Sequence, residues 1–149
     1  MLNQLKDVFS SLENHQVKYL IIGGIASVLY GVPRATFDLD ILIEATSENA
    51  VNLLSAFEDA KLGTATLISA EELLAHEITI FRDTVRIDVQ TRTPGIHFSD
   101  AWENREIMKH DGQLFYVVSK TDLIASKRAS GREIDLEDVS LLEIDKEDR

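Results

Sequence analysis

One stretch organises the chain, residues 19–44, which read YLIIGGIASVLYGVPRATFDLDILIE. It begins with a short apolar run that is rich in strand formers and too short for a helix. Gly23 and Gly24 end this run, and residues 25–30 after them predict one or two helical turns that Gly31 closes. The stretch therefore predicts a strand, a glycine turn and a short helix, in that order.

A second strand is predicted after Pro33, because the residue types alternate there. Successive side chains of a strand point to opposite faces, so Asp38 and Asp40 share one face. The opposite, core-facing side carries Phe37, Leu39, Ile41 and Ile43. Two carboxylates about 7 Å apart on one strand face can share a divalent ion. They follow a glycine-led helix start, whose free N–H groups suit a phosphate, and the combination predicts phosphoryl or nucleotidyl transfer.

This stretch resembles the nucleotidyltransferase superfamily, whose signature is a Gly-Gly or Gly-Ser turn, a short helix and Asp-x-Asp on the next strand. The segment Arg34-Ala35-Thr36 ahead of the acids is similar to the AbiEii-type branch, which is associated with toxin–antitoxin and abortive-infection systems. The resemblance implies an α+β fold, the minimal nucleotidyltransferase fold, with a mixed β-sheet flanked by helices. It also implies that Asp38 and Asp40 are catalytic and bind Mg²⁺ or Mn²⁺, and that Gly23 and Gly24 bind the phosphates of a nucleoside triphosphate.

A third acid is expected on a later strand. Residues 77–81 and 85–90 predict a β-hairpin, and Asp88 lies on the face of its second arm opposite to the apolar residues. In the resembled superfamily a third carboxylate arrives on a later strand and completes the metal cluster, so Asp88 is a candidate catalytic and metal-binding residue. The alternative is that the acids are ordinary strand residues or ion-pair partners of Arg34 and Arg86.

Residues 127–132 form the one basic cluster of an acidic chain. Lys127 and Arg132 are candidates to bind triphosphate oxygens, and the alternative is that these charges complement the C-terminal dipole of a helix. The segment is similar to a later AbiEii-type motif, although the lysine–aspartate pair usual before Asp135 is replaced here by a Glu-Ile pair. We interpret Asp135 as the N-cap of a last helix and Asp138 as its N3 residue, both mainly structural.

Other polar residues give weaker indications. Arg34 and Thr36 lie just ahead of the acids, where they would either reach phosphate or fix the loop. The four histidines show no metal-ligand spacing. The chain has no G-x-S-x-G elbow and no Walker lysine, and its glycines fail the dinucleotide-fold spacing.

The remaining elements follow from periodicity and turn residues. Residues 64–68 predict a short strand, Ser69 and Glu72 predict a capped helix start, and residues 99–108 predict a short helix. Further helices are predicted at 2–14, from 47 to near 63, from 120 to about 129 and at 136–142, with a strand at 114–118 and a charged, frayed tail at 143–149.

Composition limits the class of protein. A chain of 149 residues suits one domain, so we expect a single nucleotidyltransferase-like domain over residues 1–149. A formal net charge of −11 argues against a broad basic surface for duplex DNA, and the absence of cysteine excludes disulfides and thiolate metal sites. The N-terminus lacks an apolar signal core, and no apolar run reaches the ~18 residues of a spanning helix. We therefore expect a cytoplasmic protein with no membrane partner.

The sequence thus predicts a metal-dependent transfer of a nucleotide from a nucleoside triphosphate to an acceptor hydroxyl. The acceptor is left open between a protein side chain, a tRNA end and a small molecule. One alternative is a non-catalytic nucleotidyltransferase-fold module that acts as antitoxin or partner of a cognate protein, which the short chain encourages. The other is an interaction domain in which the acids only form salt bridges.

Overall fold

The computed structural model of the protein describes residues 2–144. Within this range α-helices, one 3₁₀ helix and β-strands alternate along the chain. The α-helices are α1 (Leu2–Asn14), α2 (Gly23–Leu29), α3 (Ser47–Asp59), α4 (Ala70–Ala75), α5 (Phe98–Glu103), α6 (Lys120–Ser130) and α7 (Glu133–Leu142), and the 3₁₀ helix is Gly63–Leu67. The strands are β1 (Tyr19–Ile22), β2 (Asp38–Ile43), β3 (Ile78–Arg82), β4 (Arg86–Gln90), β5 (Glu106–His110) and β6 (Gln113–Val117). Most of the tail predicted to fray, 143–149, lies outside the described residues.

The strands form one mixed sheet in the order β3-β4-β2-β1-β6-β5. At its centre β1 and β2 are antiparallel, whereas β2 runs parallel to β4 and β1 parallel to β6. Antiparallel hairpins form the two edges, β3–β4 and β5–β6. Helices pack against the sheet, α2 on β2 and α1 on β6, and α3 packs on α1. This arrangement confirms the predicted fold, a mixed sheet flanked by helices.

The core lies around the central strand β1, which is buried at every position. Helix α1 turns its apolar face inward, as its spacing predicts, and Phe9 stacks on Phe115 of β6 with 5.0 Å between the ring centroids. On the β4 side, Phe57 of α3 meets Phe81 of β3 edge-on, also at 5.0 Å. Each such buried side chain contributes about 1.5–3 kcal/mol relative to an exposed one, so the core fixes the sheet register.

The register of the central strands determines what meets at their ends. Parallel pairing of β2 with β4 places Asp40 opposite Asp88 and Asp38 opposite Arg86. Antiparallel pairing of β1 with β2 places Ile22 opposite Asp40, so Gly23 leaves the sheet beside that aspartate. The topology therefore brings the glycine turn and all three acids to one place.

Two predicted elements are wrong. Residues 64–67 of this segment form part of the 3₁₀ helix instead of a strand, and the Asp83 carboxylate accepts hydrogen bonds from the Thr64 N–H and hydroxyl, at 3.2 and 2.5 Å. Tertiary context here outweighs the strand propensity of threonine. The helix predicted at 99–108 ends at Glu103, and residues 106–110 form β5, which pairs with β6. By contrast, the capping box predicted at Ser69 is confirmed.

Among the boundaries that differ from the predictions, two change the placement of singled-out residues. The alternation predicts Phe37 in the core with Leu39, but β2 begins one residue later and Phe37 is 82 % exposed. The last helix begins at Glu133 with Arg132 as its N-cap, so Asp135 lies in the first turn and is not the cap. No helix among residues 2–144 combines the length and apolar character needed to cross a membrane.

Candidate active site

A cavity of about 550 Å³ opens between the acid-bearing face of the sheet and helices α6 and α7. Several of the predicted site residues line it together: Gly23, Asp38, Asp40, Asp88, Lys127 and Arg132. Arg34 and Thr36 instead line a second, more apolar cavity of about 430 Å³, together with Phe37. Gly24 faces Thr36, since a Cβ at Gly24 would lie 3.0 Å from the Thr36 hydroxyl oxygen. The structure thus brings the acids, one glycine and the basic cluster together at the first cavity. The Arg34–Thr36 segment lies at the second cavity instead.

Arg86 binds two of the three carboxylates. Its guanidinium donates two hydrogen bonds to the Asp88 carboxylate, from Nε at 3.0 Å and from Nη2 at 3.2 Å. The same Nε lies 3.7 Å from Asp38 Oδ2. A bidentate arginine–carboxylate pair is a strong charge-assisted contact, so Arg86 partly neutralises the acidic cleft.

Of these three carboxylates, Asp40 is the one that forms no ion pair within residues 2–144, since Arg86 pairs with the other two. Burial, together with the negative charges of Asp88 and Asp38, raises the pKa of Asp40 to about 7. Burial is the larger cause, and the neighbouring carboxylates add to it, so the charged form of Asp40 is disfavoured in this cleft. Strongly perturbed carboxyls in a cleft are typical of functional sites.

The donor set suits a hard divalent cation, whereas the side-chain arrangement does not yet form a metal site. Carboxylate oxygens are the ligands that Mg²⁺ and Mn²⁺ prefer, and a cation would relieve the repulsion around Asp40. In the described part of the chain, however, no three His, Asp or Glu side chains are placed to hold one ion. The guanidinium of Arg86 engages Asp88 and approaches Asp38 in this cleft. The residues therefore fit a metal in donor chemistry and charge, and a cation would compete with Arg86 for these carboxylates.

Gly23 is required beside Asp40 for a steric reason. Its φ is +69°, a conformation that side chains rarely adopt, and a Cβ there would lie 2.5 Å from Asp40 Oδ2. The missing side chain lets the Asp40 carboxylate pack directly against the start of α2.

Gly23→Ala is expected to destabilise the fold by about 1–3 kcal/mol, because it combines left-handed strain with a clash against Asp40. Urea unfolding measures this loss. Gly63→Ala is the matched control, since Gly63 has no atom within 4 Å of its would-be Cβ and no positive φ. Equal stability of the two variants would show that the close approach at Gly23 is not required.

Lys127 is buried between two acids of α7. Its Nζ lies 3.1 Å from Asp135 Oδ1 and 2.9 Å from Asp138 Oδ2, and its side chain is 5 % exposed. The same Asp138 oxygen accepts a hydrogen bond from Arg34 at 2.8 Å and one from Ser27 at 3.4 Å. Asp138 therefore ties α6 and α7 to α2 and to the loop ahead of β2.

Asp135 is the second anchor of this network, and not the helix cap that its position suggests. Although burial opposes ionisation, hydrogen bonds from Ser130, Arg132 and Lys127 hold the pKa of the Asp135 carboxyl below its usual range. An aspartate with a lowered folded-state pKa stabilises the fold above its unfolded pKa, and that contribution is lost as the pH falls through the folded value. At neutral pH the network is therefore fully stabilising.

Sequence reasoning does not find the two serines of this network, Ser27 and Ser130. Both are ordinary in type, and only their position distinguishes them, since each follows a predicted site glycine or lysine by three or four residues. Ser130 donates to Asp135 at 2.5 Å, and the single hydroxyl proton of Ser27 is shared between Gly23 C=O, at 3.3 Å, and Asp138, at 3.4 Å. Residues three or four positions apart are neighbours on a helix surface, so Ser27 lies next to Gly23 and Ser130 next to Lys127.

The glycine turn, the Asp-x-Asp strand and the third acid on a parallel neighbour define a nucleotidyltransferase-like protein. In agreement, residues 1–147 match the family described as nucleotidyltransferase of unknown function (DUF6036), and the chain belongs to this family. No curated protein matches the chain. The family description indicates transferase activity and leaves the donor, the acceptor and the metal open.

Proposed function

We propose that the protein moves the nucleoside monophosphate of a nucleoside triphosphate to an acceptor hydroxyl, with Mg²⁺ or Mn²⁺ as cofactor. The observation that carries this proposal is the meeting of Asp38, Asp40 and Asp88 beside Gly23 in one cleft. The chain's membership in a nucleotidyltransferase family supports it. Asp38, Asp40 and Asp88 would hold the cation, which when bound supplies positive charge to the triphosphate.

The chain's own residues would then carry the remaining tasks. Asp88 accepts the proton of the acceptor hydroxyl, and the hydroxyl oxygen forms a bond to the α-phosphorus. The bond from the α-phosphorus to the bridging oxygen breaks, and pyrophosphate leaves with the electron pair. Main-chain N–H groups of Gly23 and Gly24, at the start of α2, would donate to phosphate oxygens.

The basic residues fit the same scheme. A lysine ammonium has three donors, and Lys127 uses two of them on Asp135 and Asp138, so the third remains for a phosphate oxygen at the cavity wall. Arg132 keeps its side chain 73 % exposed while it pairs with Asp135. Arg86 would release Asp88 and Asp38 as the cation binds, since one positive group replaces the other.

We assign the protein to the AbiEii-type branch as part of this proposal, with a cognate toxin or antitoxin as its partner. The contact between Arg34 and Asp138 supports the assignment, because it joins the segment ahead of the acids to the later basic–acidic motif. Through this contact Arg34 would fix the loop, while Thr36 packs on Gly24 beside the phosphates.

A second function is favoured by the arrangement of Arg86. With two carboxylates engaged by a guanidinium, the cleft is partly neutralised without any ion. A nucleotidyltransferase-fold module that binds a partner protein and no nucleotide would have this property.

Calorimetry with a non-hydrolysable nucleoside triphosphate distinguishes the two functions. For the enzyme we expect binding in Mg²⁺ to be at least about tenfold tighter than in excess EDTA, because the cation offsets the repulsion between triphosphate and carboxylates. Asp40→Asn should lose this difference, and the exposed Asp100→Asn should keep it. No binding of any of the four nucleotides to the unaltered protein would favour the partner module.

A further inference from the structure

The sheet ends at β3, and the outer edge of this strand is open. Within residues 2–144, β3 pairs with β4 alone. Bonds from Asp83 N–H to Val85 C=O and from Thr91 N–H to Glu77 C=O identify the hydrogen-bonded pairs of this antiparallel ladder, which alternate along it. The residues between these pairs therefore direct their N–H and C=O groups away from β4: Ile78, Ile80 and Arg82.

The same residues place their side chains on the face of the sheet that carries the acids. Ile80 lies opposite Asp88 and Ile78 opposite Gln90, and directly opposite residues share a face. Ile78 and Ile80 are 49 % and 42 % exposed, and Ile78 lines the cavity. An apolar strip with free main-chain donors and acceptors therefore borders the acidic cleft.

The net charge of the chain indicates which class of partner this strand edge can bind. The chain carries a formal net charge of −11, which repels a polyanion such as tRNA over any extended contact. An extended peptide needs main-chain partners and apolar pockets for alternate side chains, which are what β3 offers. The β3 edge differs from the opposite edge of the sheet, β5, in bordering the acidic cleft, and this position makes it the candidate docking site.

We propose that β3 binds an extended segment of a protein acceptor by strand addition, and that the acceptor is therefore a protein hydroxyl. This inference rests on the transferase function proposed above. A residue that pairs with Ile80 directs its side chain to the acid-bearing face, about 10 Å, or two strand spacings, from β4. Serine and threonine side chains are too short to cover this distance, whereas a tyrosine of the docked segment can extend across Ile80 towards Asp88 and the nucleotide.

The transfer step balances with the groups already described. The tyrosine oxygen of the docked segment bonds to the α-phosphorus, and its proton passes to Asp88. The bond between the α-phosphorus and the bridging oxygen breaks, and pyrophosphate leaves with the electron pair. The product is a protein with a nucleotide in phosphodiester linkage to its hydroxyl.

Ile80→Pro tests the edge directly. The N–H of Ile80 points away from β4, so proline removes a donor from the docking edge without breaking a bond inside the sheet. Ile78→Pro repeats the test if the first variant does not fold.

Ile107→Pro on the opposite edge is the matched control. The β5–β6 turn has φ values of 48° at Asp111 and 81° at Gly112, a two-residue type I′ turn that makes His110 and Gln113 a bonded pair. Ile107, at 56 % exposure, therefore also points its N–H outward.

The measurement is transfer of label from the four α-³²P nucleoside triphosphates, with Mg²⁺, in an extract of the cells that produce the protein. We expect label in a species that protease destroys and ribonuclease leaves intact. Ile80→Pro should lower this labelling about tenfold, and Ile107→Pro should leave it within about twofold. Calorimetric binding of Mg²⁺ and nucleotide should be unchanged in both variants.

Label that ribonuclease removes, label in a small molecule, or no labelled protein would overturn the inference. So would equal labelling by Ile80→Pro and the unaltered protein, or an equal loss in Ile107→Pro. If the unaltered protein binds no nucleotide, the transferase function itself fails and the inference falls with it. Retained nucleotide binding without protein labelling refutes the docking edge alone.

Discussion

Asp40→Asn is expected to lower Mg²⁺-dependent nucleotidyl transfer by at least about 10²–10³-fold while the protein stays folded. Asparagine keeps the shape of the side chain and removes the negative charge that a cation would bind. Because burial and the neighbouring acids oppose the charge of Asp40, its removal should leave the melting temperature unchanged or raise it. Release of pyrophosphate gives the rate, and thermal unfolding monitored by circular dichroism gives the stability.

Two further variants make this result specific. Asp38→Ala should cause a comparable loss, since both acids extend from the same face of β2. Asp100→Asn removes one negative charge from the exposed first turn of α5 and should retain full activity. Full activity of Asp38→Ala with purified protein and nucleotide would contradict the assignment of the acids.

The acid-bearing strand could be predicted from the sequence because its pattern is local. Alternation alone separates Asp38 and Asp40 from the buried Leu39 and Ile41, and Gly23 marks where the preceding strand ends. Alternation predicts wrongly at Phe37, because the apolar pattern extends to this residue although β2 begins only at Asp38. Hydrophobic pattern reports which residues could share a face, and only pairing with β1 and β4 decides where the strand begins.

The partners of the charged side chains could not be predicted, because they depend on packing between distant segments. Arg86 appears in the sequence as one alternative partner of the acids, and the parallel register of β2 and β4 is what places it opposite Asp38. Lys127 is recognisable as a basic residue near a helix end, and only the packing of α6 on α7 buries it against Asp135 and Asp138. The residue types of the site can therefore be predicted from the sequence, whereas their contacts depend on how the strands and helices pack.

The missed strand β5 has a similar cause. Its residues, 106–110, include Lys109 and His110 and lack a clear apolar period, so nothing local separates them from the helix before them. The turn at Asp111–Gly112 is a strong hairpin signal, which becomes decisive once β6 is recognised as its second arm. Reading turn chemistry ahead of periodicity would have corrected this prediction.

Asp138→Ala is expected to destabilise the protein by about 3–5 kcal/mol, because breaking a buried ion pair leaves its partners uncompensated. The Asp138 side chain is 5 % exposed and receives both the Lys127 ammonium, at 2.9 Å, and the Arg34 guanidinium, at 2.8 Å. Removal would leave Lys127 with Asp135 alone and would free Arg34 in the loop ahead of β2. Urea unfolding at pH 7 measures the change in the free energy of unfolding.

Glu137→Ala is the matched control for this prediction, since Glu137 is the exposed neighbour of Asp138 on the same helix and should change stability by no more than about 0.5 kcal/mol. A double-mutant cycle of Asp138→Ala with Arg34→Ala then isolates their contact, and we expect the effects to be non-additive by about 1–3 kcal/mol. Nucleotide binding should weaken in Asp138→Ala even at urea concentrations that leave the variant folded. The reason is that α2 and the loop ahead of the acids lose the carboxylate that both of them contact. A destabilisation no larger than that of Glu137→Ala would show that Asp138 does not hold these segments together.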